Sequence, residues 1–140
     1  MARPAEKTSQ EKREFFRLNF TTPLEYRSYK LSGDQDRGDS EIEKATSQNI
    51  SQAGILFNTK NSPPELSSFV WLSLDLRTLR ICQEIEARAL VVKNGLLGRV
   101  VRVEENPQQS DSFDVGVCFL TKDNSGAREV QTLLQKLSKE

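Results

Sequence analysis

The sequence predicts a mainly β protein, a small antiparallel β-barrel whose open end or seam is covered by one C-terminal helix. Three observations carry this expectation: short segments alternate apolar and polar residues with period two, turn formers separate them, and the last apolar stretch switches to helical spacing. At 140 residues the chain has the length of one domain, and no internal repeat is evident.

Residues 1–11 are polar and charged without periodicity and read as a flexible arm, leaving 12–138 as a single domain. From Phe16, the residues Phe16, Leu18, Phe20, Leu24 and Tyr26 are apolar while Arg17, Asn19, Thr21 and Glu25 fall between them, as in a half-buried strand with a bend or edge position at Pro23. On that register Arg17 points away from the core. Arg13 projects to the same side if the chain stays extended, roughly 13 Å away at a rise of about 3.3 Å per residue.

Ser32 to Lys44 is dense in charge and turn formers and reads as a long exposed loop. It contains the adhesion-like string Arg37-Gly38-Asp39-Ser40 and a calcium-loop-like start at Asp34 and Asp36, in which Gly38 sits one place early. Further strands are expected at Gly54 to Asn58, Phe69 to Leu76, Ala87 to Val92, Leu97 to Val103 and Phe113 to Leu120, with a hairpin turn at Asn94-Gly95. Trp71 has the opposite parity to Leu72, Leu74 and Leu76, an exposed position that would mark an interaction surface. After the capping residues Asp123-Asn124-Ser125, the residues Val130, Leu133, Leu134 and Leu137 share one helical face.

Composition narrows the function. Twenty basic residues balance twenty acidic ones, so no overall field draws the protein to nucleic acid or an anionic membrane, and any anion site must be local. There is no histidine, which removes His-based triads, most zinc sites and the commonest general base at neutral pH. No catalytic residue, metal ligand or cofactor is assigned. The N-terminus lacks an apolar h-region and runs such as Ala89 to Val92 are far too short to span a bilayer, so a soluble, cytoplasmic protein without membrane insertion is expected. Cys82 and Cys118 are then reduced thiols, Cys118 a buried one within Val115-Gly116-Val117-Cys118-Phe119-Leu120.

Two motifs remain. Arg13 and Arg17 form RxxxR, and Asn49-Ile50-Ser51-Gln52-Ala53-Gly54 reads as D/N-x-S-x-x-G. Alone, the first is ordinarily a solvated face and the second a turn into a strand, with Asn and Ser bonding the local backbone. Asn49 nevertheless carries donors and acceptors, Ser51 a small hydroxyl, and Gly54 permits close backbone approach or positive φ.

Lys12-Arg13 through Arg17, Asn49 to Gly54, Val100-Val101-Arg102-Val103-Glu104 and Val115 to Leu120 together resemble the PilZ domain family, over about Lys12 to Leu137. The resemblance implies a six-stranded antiparallel split β-barrel with a C-terminal α-helix and non-enzymatic binding of cyclic di-GMP. Arg13 and Arg17 would hold guanine and phosphate, which suits the planar donor fork of arginine, and Asn49, Ser51 and Gly54 would line the pocket beneath. Lys12 stands where many members carry another arginine and lacks its planar face, which bears on stoichiometry and stacking.

The resulting expectation is a cyclic di-GMP receptor that orders its RxxxR arm onto the barrel and signals to a protein partner in trans. The alternative is a PilZ-like adaptor that binds protein but no nucleotide. A nucleic-acid binder using a basic arm is disfavoured by the neutral charge and by the lack of an aromatic and basic stripe.

Overall fold

The computed structural model describes residues 18–29, 42–60, 62–77, 79 and 81–138. Lys12, Arg13, Arg17, the predicted arm and most of the predicted loop at 32–44 lie outside the described residues. The elements are β1 (Leu18–Asn19), β2 (Pro23–Tyr29), β3 (Glu43–Ile50), β4 (Gly54–Lys60), β5 (Phe69–Ser73), α1 (Cys82–Arg88), β6 (Val91–Val92), β7 (Gly95–Glu105), β8 (Ser112–Phe119) and α2 (Arg128–Ser138).

Six strands run in the order β3-β2-β5-β7-β8-β4, and β4 pairs back onto β3, so the antiparallel sheet closes into a barrel. The two-residue strands β1 and β6 add to β3 and β7. Closure leaves no long edge exposed. The inward positions are the apolar half of each alternation: Leu24 and Tyr26, Ile55 and Phe57, Val70 and Leu72, Val115 and Val117 form one buried cluster. The Tyr26 and Phe57 rings lie 5.1 Å apart, and the Tyr26 hydroxyl meets the Thr59 hydroxyl at 3.1 Å, which satisfies both in the interior.

The helices divide two tasks. α1 plugs one end of the barrel: Ile85 is fully buried in the interior cluster with Leu76 and Ala89. Its C-terminal carbonyls at Glu86 and Ala87 accept from the Lys122 ammonium at 3.2 and 2.8 Å, a cation at the negative end of the helix. α2 lies on the outer wall. Val130, Leu133 and Leu137 face Tyr29, Phe69 and Leu97, which are outward-pointing residues of β2, β5 and β7. Arg99 stacks over the Phe69 ring at 4.6 Å and reaches Glu129 of α2 at 2.9 Å.

Several expectations are corrected. The C-terminal helix covers a wall, whereas the end is closed by α1, a helix where Ala87 and Arg88 were expected in a strand. Ile81, Ile85 and Ala89 recur every fourth residue, and that helical period prevails. Trp71 is not an exposed platform. It is half-buried against the α2 cluster, and its indole N–H donates to the Val92 carbonyl at 2.8 Å. Cys118 faces outward and is exposed, because Val117 and Phe119 take the inward positions.

The predicted loop reaching Lys44 is shortened by β3, whose strand pattern was hidden because its inward positions are the small residues Ala45 and Ser47. The run from Phe16 is interrupted after β1. There the buried Ser47 hydroxyl accepts from the Thr22 N–H at 3.0 Å and donates to the Phe20 carbonyl. The hairpin lies where expected, but its central residues are Lys93 and Asn94, with φ of 53° and 64°. Gly95 instead sits beneath Trp71, where a Cβ would come 2.4 Å from the indole ring.

If α1 is the plug, Ile85→Ala should cost about 3 kcal/mol in urea unfolding, as for other large-to-small core changes. Val91→Ala, at a 47 % exposed side chain, should stay within about 0.5 kcal/mol.

Candidate functional site

The barrel wall formed by β3, β4, β8 and β7 is covered by neither α1 nor α2, and two bulges shape it. In β3 the register shifts between Ser47 and Asn49, so that Ser47 and Ile50 are both buried and Gln48 and Asn49 lie together on the outer side. In β7 it shifts between Val100 and Arg102. Val100 is buried, Val103 packs on the interior, and Val101 and Arg102 both face out. A bulge inserts one residue and so re-aims the side chains that follow.

Both shifts act on one transverse row. Asn49 is registered opposite Leu56, Leu56 opposite Gly116, and Gly116 opposite Arg102. These four residues, with Ser51, Gly54, Val101 and Cys118, line a groove of about 250 Å³. The structure therefore brings together Asn49, Ser51 and Gly54, the described members of the predicted site. It adds Leu56, Val101, Arg102, Gly116 and Cys118.

The turn of the second motif is held locally. The Ser51 N–H donates to the Gly54 carbonyl at 2.8 Å, and the Ser51 hydroxyl accepts from the Ala53 N–H at 3.2 Å. Local backbone bonding by Ser51 thus coexists with its position on the groove, with the hydroxyl proton left as a donor. Gly54 serves close approach, not positive φ: a Cβ there would stand 2.2 Å from the Val117 carbonyl oxygen. Gln52 reaches Glu84 of α1 at 2.9 Å, which ties the turn to the plug. Among the described residues the Asn49 carboxamide has no hydrogen-bond partner, so its donors and acceptor face the groove unspent.

The next row along the wall is a polar network around Asp114. Its carboxylate accepts from Gln48 at 2.9 Å, Asn58 at 3.1 Å and Asn106 at 3.2 Å. Burial pushes the Asp114 pKa up, but the amide donors of Asn58, Gln48 and Asn106, with the Arg102 charge, outweigh it and leave the group below its ordinary 3.8. A wider polar depression of about 500 Å³ adjoins this network and is lined by Thr46, Gln48, Asn58, Asn106 and Gln109 among others.

Lys12, Arg13 and Arg17, the first-motif half of the predicted site, lie outside the described residues. The described chain starts at Leu18, opposite Ile50, with Asn19 opposite Asn49. The described chain thus begins beside the second motif. Arg102 belongs to a segment whose family resemblance was visible, yet its outward aim was not, because a bulge leaves only a faint trace in sequence, here two successive residues between inward valines. Leu56 and Gly116 gave no signal beyond ordinary strand alternation.

Among the described residues, no three His, Cys, Asp or Glu side chains are grouped so as to hold a metal ion, and no helix is long and apolar enough to cross a membrane. A family model described as PilZ domain matches residues 11–136. No curated protein matches the chain.

Two outcomes follow from this geometry. Gly54→Ala should destabilise the fold by about 1 to 3 kcal/mol in urea unfolding, because the new methyl group collides with rigid β8 backbone. Asp114, with its folded-state pKa lowered, contributes stability that is present above 3.8 and lost as pH falls through its folded value. Asp114→Asn should thus cost about 1 kcal/mol at pH 7 and flatten the acid limb of the stability profile below pH about 4, read from urea midpoints. An unchanged acid limb would show that the network carries no such linkage.

Proposed function

Because the chain belongs to the PilZ domain family, we propose that it is a non-enzymatic receptor for cyclic di-GMP, with its site on the open barrel wall. The observation that carries this reading is the convergence of Asn49, Ser51 and Gly54 on one outward groove, at the point where the chain arrives from the RxxxR segment. The adaptor reading has no comparable observation in its favour.

In this mechanism Arg13 and Arg17, with Lys12 beside them, clamp the ligand from above. Each guanidinium has a planar fork that matches either the O6/N7 edge of guanine or a phosphate. The Asn49 carboxamide and the Ser51 hydroxyl supply neutral donors and acceptors from below, and Gly54 keeps that floor low. A ligand with two guanines and two phosphates in a compact ring presents both kinds of edge at once.

Binding orders the arm onto the wall and changes the surface offered to a cytoplasmic protein partner in trans. A ligand shifts such an equilibrium only by its differential affinity for the two arm states. Micromolar binding, worth about 8 kcal/mol at standard state, is ample for that shift if it is selective for the closed state.

Calorimetric titration with cyclic di-GMP tests this. Micromolar binding is expected for the wild type, with loss of binding in Arg13→Ala/Arg17→Ala and no response to GTP. Absence of heat with the folded wild type would overturn the receptor reading and favour the adaptor.

A further inference from the structure

Arg102 is the one charged residue among the described residues that line the groove. It reaches that position through the β7 bulge, and its stem crosses the floor over Gly116. A Cβ on Gly116 would stand only 3.3 Å from the Arg102 Cβ and 3.8 Å from its Cδ. The missing side chain at Gly116 is therefore what lets the Arg102 stem lie across the row that begins at Asn49.

The guanidinium ends at Glu104, two residues along the same strand, at 3.1 Å. Glu104 is registered opposite Asp114, so two carboxylates border the cation on the side away from the motif turn. They are not equivalent. Asp114 is pinned by three carboxamides. Among the described residues Glu104 has Arg102 as its side-chain partner, and both side chains are about half exposed, at 50 % and 55 %. Solvated ion pairs of this kind are weak and are readily exchanged for another anion.

We infer that Glu104 sets the affinity of the site by holding Arg102: in the free protein its carboxylate occupies the guanidinium, and a phosphodiester of the ligand takes its place on binding. This rests on the receptor reading above and adds a cation and its internal competitor to it. A phosphodiester and a carboxylate address the same planar donor fork, so they exclude each other there. No covalent step is involved, only the exchange of one anion for another at the guanidinium.

The test is calorimetric titration with cyclic di-GMP of four proteins: wild type, Glu104→Gln, Arg102→Ala and the double variant, each checked for folding by thermal melting. Removing the competitor should tighten binding roughly two- to fivefold, the scale of one exposed ion pair. Removing the cation should weaken it roughly tenfold, as for loss of a charge-assisted contact. In the Arg102→Ala background, Glu104→Gln should have no further effect, because its influence runs through Arg102. Binding by the wild type with no gain in Glu104→Gln, or a gain that persists without Arg102, overturns this inference and leaves the receptor reading intact. No binding by any of the four overturns both.

Discussion

Closure of a sheet of six strands is the constraint on which the rest depends. A barrel this narrow is filled by its own side chains and leaves no room for a ligand; Tyr26, Phe57, Leu72 and Val115 occupy the interior with essentially no exposure. A ligand must therefore bind outside the barrel interior. Strand alternation offers the wall only every second residue, and two bulges relax that rule at the row that joins Asn49 to Arg102. The bulges convert a structural barrel into one with a shaped outer groove.

The two outer walls are put to different uses. Over β2, β5 and β7 the outward residues Tyr29, Phe69 and Leu97 are large and apolar, and α2 buries them. Over β3, β4 and β8 they include Asn49, Leu56, Asn58, Asp114 and Cys118, together with glycine at 116, and among the described residues no helix covers them. Arg99 marks the boundary. It is registered opposite Cys118 on one side and Phe69 on the other, and it stacks on Phe69 and pairs with Glu129. On the open wall, Gln52 and Glu84 link the motif turn to the plug helix, so the groove is attached to the helix that buries Ile85 in the barrel interior.

The legible parts of the fold were those written in large apolar residues. The inward positions Val70 and Leu72 of β5 and Val115, Val117 and Phe119 of β8, and the helical spacing of Val130, Leu133 and Leu137, translate directly into buried positions. What escaped was written in small or shifted residues. β3 turns Ala45 and Ser47 inward and so resembles a loop, and α1 is a seven-residue helix with one fully buried anchor. Of the site, the second motif was readable because its residues are contiguous at one turn. The Asn49 to Arg102 row is assembled from four strands, and only the register, set by the bulges, brings those residues side by side.

If the receptor reading holds, cyclic di-GMP binds on the wall of β3, β4, β8 and β7, and a titration with cyclic di-GMP followed through backbone amide NMR shifts tests this most directly. The largest changes should fall at Asn49, Ser51, Leu56, Arg102 and Gly116, with little at Trp71 and Leu97 beneath α2 and at Leu133 within it. Changes concentrated under α2, with the Asn49 to Arg102 row unmoved, would contradict it.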